Sequence, residues 1–246
     1  MPGIKEISGS KSVKFVDGTE AHDIDVILFC TGLTPDLASF IPSKFDPYNV
    51  DLAPKVFAKL PAHYTDARRA ARMYQGFISL QSPHQLAFLG ATFGKRPAFQ
   101  LYDLMTMALG QLWGGNYPMP SAAEMEREAN ASIFALAKLA KEGDVKITGV
   151  KGAIAFDQWL NEVAGTGLYE HLGNWTSSKC WKLWWSDRKL YNTLMGGILS
   201  AHVLRLFETP RGRKAWPGAR NAIMEANEAA ANFGKSDSLK AKGDEV

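Results

Sequence analysis

The 246-residue chain is 46% hydrophobic and 22% charged, an ordinary composition for a globular protein with a buried core. Its formal net charge of +3 is too small to indicate nucleic acid or an anionic membrane as a partner. The two cysteines, Cys30 and Cys180, form no CxxC pair, so neither a disulfide framework nor a metal site is indicated. The sequence shows no secretory signal and no run of about 20 apolar residues, and we expect a cytoplasmic protein.

The first third of the sequence predicts β-strands. Apolar-rich runs at residues 4–7, 12–16 and 25–29 are typical of short strands. Asp17-Gly18 is a strong hairpin signal between the second run and the third.

The third run ends on Cys30-Thr31-Gly32 and is the first candidate ligand site. Its consecutive large apolar residues favour a strand that is covered on both faces, as in a parallel sheet. Open α/β sheets bind ligands at the carboxyl ends of such strands. Gly32 permits close approach of the backbone to a ligand, and Thr31 offers a hydroxyl.

The rest of the chain changes from strands to helices. Residues 72–80 and 85–89 predict a second pair of strands. Ser121 and Glu124 form a capping box, and Pro97 suits a first helical turn. Predicted helices cover residues 98–112, 121–142, 153–164, 187–207 and 213–231, followed by a disordered tail at 234–246.

Two glycine-rich segments fall short of a phosphate-binding loop. Gly165-Thr166-Gly167 lacks a third glycine and a preceding strand. Residues 90–95 are one residue short of a P-loop and lack the Ser or Thr that follows its lysine. We therefore interpret neither segment as a phosphate loop, and no residue is predicted to be catalytic or to bind metal.

Several segments resemble, in order, parts of the flavin-containing monooxygenases. Residues 13–19 and 25–32 resemble that family's hairpin and its strand ending in Ala-Thr-Gly, with Cys30 in place of alanine. Leu33 stands where the family usually has an aromatic residue. Further similar segments are residues 73–76 and 83–90 (a second hairpin), 120–125 (a helix start), 205–207 and 216–223 (the closing segment).

The resemblance extends from Ile4 to Ala226 but covers only the C-terminal half of the family. It implies an α/β fold: the C-terminal part of a two-dinucleotide-binding-domain flavoprotein, with β-hairpins and a short parallel-strand remnant followed by a mostly helical half. The implied domains are residues 1–95, a strand-rich remnant of the FAD- and NADP-binding domains, and residues 96–233, a helical C-terminal portion.

The resemblance also implies a function: N- or S-oxygenation of a small soft nucleophile with FAD, NADPH and O2. The cofactor-binding candidates are Cys30, Thr31, Gly32, Gly90, Ala91 and Thr92, and a helix starting near Pro97 could direct N–H groups at a flavin carbonyl. Because the dinucleotide fingerprints belong to the other half of the family, we expect this chain alone to bind FAD weakly or not at all and to be inactive. The alternative is a non-catalytic flavoprotein remnant that acts as a helical interaction module and forms oligomers through an exposed apolar face.

Two residue clusters allow a second interpretation. Trp175, Trp181, Trp184 and Trp185 could form a binding surface, although their helical spacing favours core or interface packing. The basic residues Arg205, Arg211, Arg213, Lys214 and Arg220 could contact phosphate, although a solvated helix face is favoured.

Overall fold

The computed structural model describes residues 3–27, 39, 41–52, 71–90, 96–143, 153–173 and 176–233. The chain divides into two compact units, Met1–Leu37 and Ala38–Val246. The described residues combine small antiparallel sheets with a mostly helical region from residue 98 onward, which confirms the mixed α/β class. The predicted disordered tail at 234–246 lies outside the described residues.

The first unit contains a three-stranded antiparallel sheet in the order β1 (Ile4–Gly9), β2 (Ser12–Phe15) and β3 (Glu20–Ala21). The predicted turn at Asp17-Gly18 is confirmed, but it joins β2 to Glu20–Ala21 and not to the predicted strand at 25–29. Gly18 has a φ of +86°, and the Asp17 carboxylate accepts hydrogen bonds from the Thr19 amide and hydroxyl at 3.0 and 2.7 Å. The turn therefore depends on a glycine conformation and on a local side-chain cap.

The predicted strand at residues 25–29 is wrong over its described part. Residues 22–27 carry no strand, and Val26 is 71% exposed. Asp25 instead forms an exposed ion pair with Lys11, at 2.6 Å. The strand pairs that the described residues form are antiparallel, so the predicted parallel remnant is not found among them.

The bounds predicted for the second strand pair, residues 72–80 and 85–89, are also wrong. Residues 72–80 turn back on themselves as β4 (Met73–Tyr74) and β5 (Ile78–Ser79). Gln75 and Gly76 have φ angles of +52° and +76°, which reverses the chain between the two strands. The predicted strand at 85–89 is reduced to one bridge, between Ile78 and Ala87.

Three helix predictions are confirmed within one or two residues. The observed helices are α1 (Ala98–Trp113), α2 (Ala122–Gly143) and α3 (Ala153–Ala164). At the start of α2, the Glu124 carboxylate accepts from the Ser121 amide and hydroxyl, and the Glu124 amide donates back to Ser121 Oγ at 3.3 Å. This is the reciprocal pattern that the capping box predicts.

Of the remaining helices, the first two were not predicted, and the last two are shorter than predicted. They are α4 (Leu168–Leu172), α5 (Ser178–Ser186), α6 (Arg188–Gly196) and α7 (Ala219–Asn232), with a 3₁₀ turn at Ala201–Arg205. The predicted helix at 187–207 breaks after Gly196 because Asn227, on α7, binds both the amide and the carbonyl of Ile198. The predicted helix at 213–231 begins only at Ala219, after Pro217.

The core of the second unit lies where α1 and α3 pack against the β4–β5 hairpin. Phe77 contacts Phe156 edge-on, with ring centroids 6.4 Å apart, and Tyr74 contacts Trp159 in the same way at 5.8 Å. Leu104 on α1 and Leu160 on α3 are fully buried. Each such side chain contributes about 1.5–3 kcal/mol by burial, so the hairpin and the two helices hold one another in place.

Candidate functional site

Gly90 is the one predicted cofactor residue that the structure describes; Cys30, Thr31, Gly32, Ala91 and Thr92 lie outside the described residues. Gly90 follows the hairpin, where Phe88 donates a backbone hydrogen bond to Phe77 at 2.7 Å. Its φ is +92°, and an added Cβ would lie 3.3 Å from the Tyr102 hydroxyl oxygen. The backbone conformation therefore favours glycine here, and a Cβ would also make a tight contact with the Tyr102 hydroxyl.

Helix α1 begins close by in sequence and has a bare N-terminus. Pro97 occupies the cap position and makes no side-chain capping bond. The first intrahelical acceptor is the Pro97 carbonyl, which receives the Leu101 amide at 2.9 Å. The N–H groups of the first turn, at residues 98–100, consequently lack helical acceptors, as at any helix start.

A buried ion pair joins the start of α1 to α3. The Arg96 guanidinium donates from Nε to Asp157 Oδ1 and from Nη2 to Oδ2 (2.9 Å), and both side chains are 4% exposed. Tyr169 donates its hydroxyl to the same Oδ2 at 2.7 Å. Burial, the hydrogen bond to Asp157 and that carboxylate's charge raise the pKa of Tyr169 to about 12.

The network continues through Asn161 to the turn after α3. Asn161 Nδ2 donates to the Asp157 backbone carbonyl at 2.7 Å, and Thr166 donates its hydroxyl to Asn161 Oδ1 at 2.6 Å. Each of these side chains is buried. The pair is thus held in a connected polar cluster, in which the buried carboxylate is stabilised by hydrogen bonds from Arg96, Asn161 and Tyr169.

Three buried polar atoms at this end of α1 have no hydrogen-bond partner among the described residues: Arg96 Nη1, Gln100 Oε1 and Ser200 Oγ. The Gln100 amide is oriented by its Nε2, which donates to the Ser200 carbonyl at 3.0 Å. Buried polar atoms are nearly always bonded, so these three indicate a place where a ligand or water can bind.

Sequence reasoning missed Arg96 and Asp157. A usable signal was present in α3, where Asp157 lies on the same buried face as Phe156, Leu160 and Val163. A carboxylate on an apolar helix face indicates a buried cationic partner. The identity of that partner, 61 residues away in sequence, follows only from the packing of α1 on α3.

The glycine pair Gly165 and Gly167 has a structural explanation, in line with our rejection of a phosphate loop. Their φ angles are +65° and +69°. An added Cβ would lie 3.0 Å from the Gly212 nitrogen in one case and 2.8 Å from Thr209 Cγ2 in the other. These glycines allow the turn after α3 to pack against residues 209–212.

Most of the predicted basic cluster is paired with other side chains in the described structure, and Trp175 of the predicted aromatic cluster lies outside the described residues. Trp181 and Trp185 on α5 are 51% and 82% exposed, so core packing is wrong for these two, and interface packing stays a prediction. The described basic side chains mostly meet acidic or aromatic groups: Arg213 with Asp103 (3.1 Å), Arg220 with Asp187, and Arg211 over the Tyr117 ring (5.1 Å).

Clustered metal ligands and membrane-spanning helices are both absent from the described part of the chain. It contains no group of three or more His, Cys, Asp or Glu side chains that could hold a metal ion. None of its helices combines the length and the apolar content needed to cross a bilayer. His171 has a packing role, since its ring stacks on Phe207 at 3.8 Å between centroids.

Comparison with known proteins relates the chain to an oxygenase. No protein-family model matches it. It is 39% identical over 236 residues to Monooxygenase aurF of Gibberella zeae. The alignment takes in 96% of this chain and 43% of that protein, so the chain spans less than half of the relative's length. Over nearly its whole length, then, this chain is similar to part of a protein named a monooxygenase.

Proposed function

We propose that this chain corresponds to the C-terminal portion of a flavin-containing monooxygenase, which uses FAD, NADPH and O2 to oxygenate a soft nitrogen or sulfur centre of a small molecule. The observation that carries the proposal is the 39% identity to a monooxygenase over 96% of the chain. The flavin-dependent class is supported by the segments between Ile4 and Ala226 that resemble, in order, parts of the flavin-containing monooxygenases.

The described residues fit one side of a flavin site. Gly90 presents backbone without a side chain at the end of the hairpin, and the bare start of α1 presents N–H donors. Arg96 Nη1 and Gln100 Oε1 add an unpartnered donor and an unpartnered acceptor. A flavin ring edge carries both carbonyl acceptors and an N–H donor, so this mixed set of groups suits it.

In this proposal Gly90 and the first turn of α1, both in the second unit, contact FAD. Cys30, Thr31, Gly32, Ala91 and Thr92 stay predictions from the sequence. When bound, FAD supplies the redox and oxygen chemistry. The chain's own residues bind and orient the ring. The ion pair between Arg96 and Asp157 fixes the start of α1 against α3, and a rigid start keeps the N–H donors in place.

The test is a titration of the full chain with FAD, followed by quenching of flavin fluorescence. Gly90→Ala is expected to weaken binding, because Ala is strained at a φ of +92° and would press on Tyr102. Gly110→Ala is the matched control, since an added Cβ there meets nothing within 4 Å. Equal binding of FAD by the two variants would contradict the proposal.

A second candidate is a non-catalytic helical interaction module. The exposure of Trp181 and Trp185 on α5 favours it, because exposed large aromatic side chains mark interaction surfaces. A colourless protein that is oligomeric by light scattering, and becomes monomeric on Trp185→Ser, would support the module. A monomeric protein that binds FAD would exclude it.

A further inference from the structure

Three tryptophan side chains on α5 form a continuous aromatic surface with basic side chains beside it. We propose that this surface, the tryptophan face, docks the protein on an anionic lipid bilayer. The face consists of three aromatic and three basic residues: Trp181, Trp184, Trp185, Lys182, Arg188 and Lys189. The inference does not rest on the proposed flavin function.

The three indole rings contact one another and stand out from the protein. The ring centroids of Trp181 and Trp184 lie 5.7 Å apart, and those of Trp184 and Trp185 also lie 5.7 Å apart. Trp181 and Trp185 are both exposed, so these two rings protrude into the surroundings. An indole ring has an apolar body and a polar N–H group, which is why tryptophan is enriched at the interface between membrane and water.

The spacing of residues along α5 separates this face from the core. Cys180 is buried, and Leu183 packs against the core of the second unit. Lys182 and Trp185 are three residues apart and both exposed, so they lie together on the opposite side of the helix. An ammonium group and an indole ring therefore meet the same surroundings.

The charge beside the rings is positive. The Arg188 guanidinium lies over the Trp184 ring, 4.9 Å from its centroid, so a cation adjoins the aromatic surface directly. Residues 178–196 include four basic residues and one acidic residue, Asp187. The Asp187 carboxylate is already bound by Arg220 of α7, whose Nη2 donates to Oδ1 at 3.2 Å.

Two exposed lysines of the face are available to an anionic partner. Lys182 and Lys189 form no ion pair within the described part of the chain, whereas Lys179 is paired with Glu170. An anionic bilayer offers negative head groups and apolar acyl chains at the same place, which suits free cations beside exposed indole rings. The net charge of +3 does not indicate such a partner, but the local arrangement of charge and tryptophan does.

A second copy of this chain is a poorer partner for the tryptophan face. A two-fold interface uses the same surface on both subunits, so it would bring the basic side chains of one copy close to those of the other. Like charges across an interface are unfavourable. A protein partner must also supply a pocket for each protruding ring, whereas a fluid bilayer adapts to its shape. The bilayer therefore accommodates both the rings and the charges.

The experiment is co-sedimentation of the full chain with lipid vesicles. One set of vesicles contains phosphatidylcholine and phosphatidylserine, and the other contains phosphatidylcholine alone. We expect binding to the anionic vesicles, weaker binding to the neutral ones, and release as the salt concentration rises. No binding to the anionic vesicles, or equal binding to both kinds, would overturn the proposal. The vesicles contain no flavin, so this test and the FAD titration can fail independently.

Replacing one tryptophan tests the aromatic part of the face. Trp185→Ser is expected to weaken binding to the anionic vesicles at least about tenfold, because the indole ring is the most exposed of the face. Phe233→Ser is the matched control. Phe233 is 91% exposed but follows the end of α7, about 20 Å along that helix from Arg220. Equal affinities of the two variants would overturn the proposal.

Replacing one lysine tests the charge. Lys182→Gln is expected to weaken binding about fivefold at low salt. Arg213→Gln is the control, because it removes the same charge from a side chain that pairs with Asp103 on α1 at 3.1 Å. Equal losses in the two variants would overturn the proposal. So would a chain that ignores anionic vesicles but forms oligomers that dissociate on Trp185→Ser, a result that favours contacts between copies.

Discussion

Removing the Asp157 carboxylate tests the buried cluster most severely. In Asp157→Ala the Arg96 guanidinium loses the acceptor of two of its nitrogens while remaining in a site where its side chain is 4% exposed. Tyr169 and Asn161 each lose an acceptor as well. An unpaired buried charge of this kind costs about 3–5 kcal/mol.

This cost is large for a domain whose total stability is about 5–15 kcal/mol. At roughly 2–4 °C per kcal/mol for a unit of this size, the midpoint of thermal unfolding is expected to fall by about 6–20 °C. Urea unfolding followed by circular dichroism measures the free energy directly. Replacing both partners, as in the double variant Arg96→Met with Asp157→Leu, is expected to restore much of the loss.

The exposed ion pair between Arg220 and Asp187 supplies the control for Asp157→Ala. Arg220→Met removes a similar fork-like contact with Asp187, but at an exposed site, and is expected to cost at most about 1 kcal/mol. If Asp157→Ala cost no more than Arg220→Met, the inference that the Arg96–Asp157 pair organises the start of α1 would be refuted.

Three further outcomes follow from the described contacts. The folded state raises the pKa of Tyr169 to about 12. The contribution of Tyr169 to stability is therefore present below the unfolded pKa near 10 and is lost between about pH 10 and 12. In this window the stability of Tyr169→Phe should fall less with pH than that of the parent, and parallel curves would count against the hydrogen bond between Tyr169 and Asp157. Ser121→Ala removes the capping box with Glu124 and should cost about 0.5–2 kcal/mol in urea unfolding, with no change speaking against the cap. Gly197→Ala places a Cβ 2.0 Å from Asn227 Oδ1 and should destabilise the protein, whereas Gly196→Ala, with nothing within 4 Å, should not; equal stabilities would show that the junction tolerates a side chain.

Local signals in the sequence predicted local structure well. The Asp17-Gly18 turn and the Ser121–Glu124 cap appear as expected because each depends on residues within three or four positions. The helices α1 and α3 were predicted for a similar reason, since a periodic apolar face and flanking Pro or Gly set their bounds.

The features that were not predicted depend on contacts between residues that are far apart in sequence. The helix predicted at 187–207 is broken by Asn227, which lies 29 residues from Ile198 in sequence. The run at 72–80 forms a hairpin because Gln75 adopts a left-handed conformation, with its amide donating to Glu128 on α2 at 2.9 Å. The Arg96–Asp157 pair likewise depends on the packing of α1 on α3, so the part of the candidate site that the structure describes most fully was not predicted.

The claim that this chain forms one side of a flavin site is tested most directly by an NMR titration of the full chain with riboflavin, which carries the flavin ring but no phosphate. The account predicts saturable shifts of the Gly90 amide and of the first-turn amides of α1, with weak affinity. Saturable shifts elsewhere in the chain without any shift at Gly90 or residues 98–100 would contradict it.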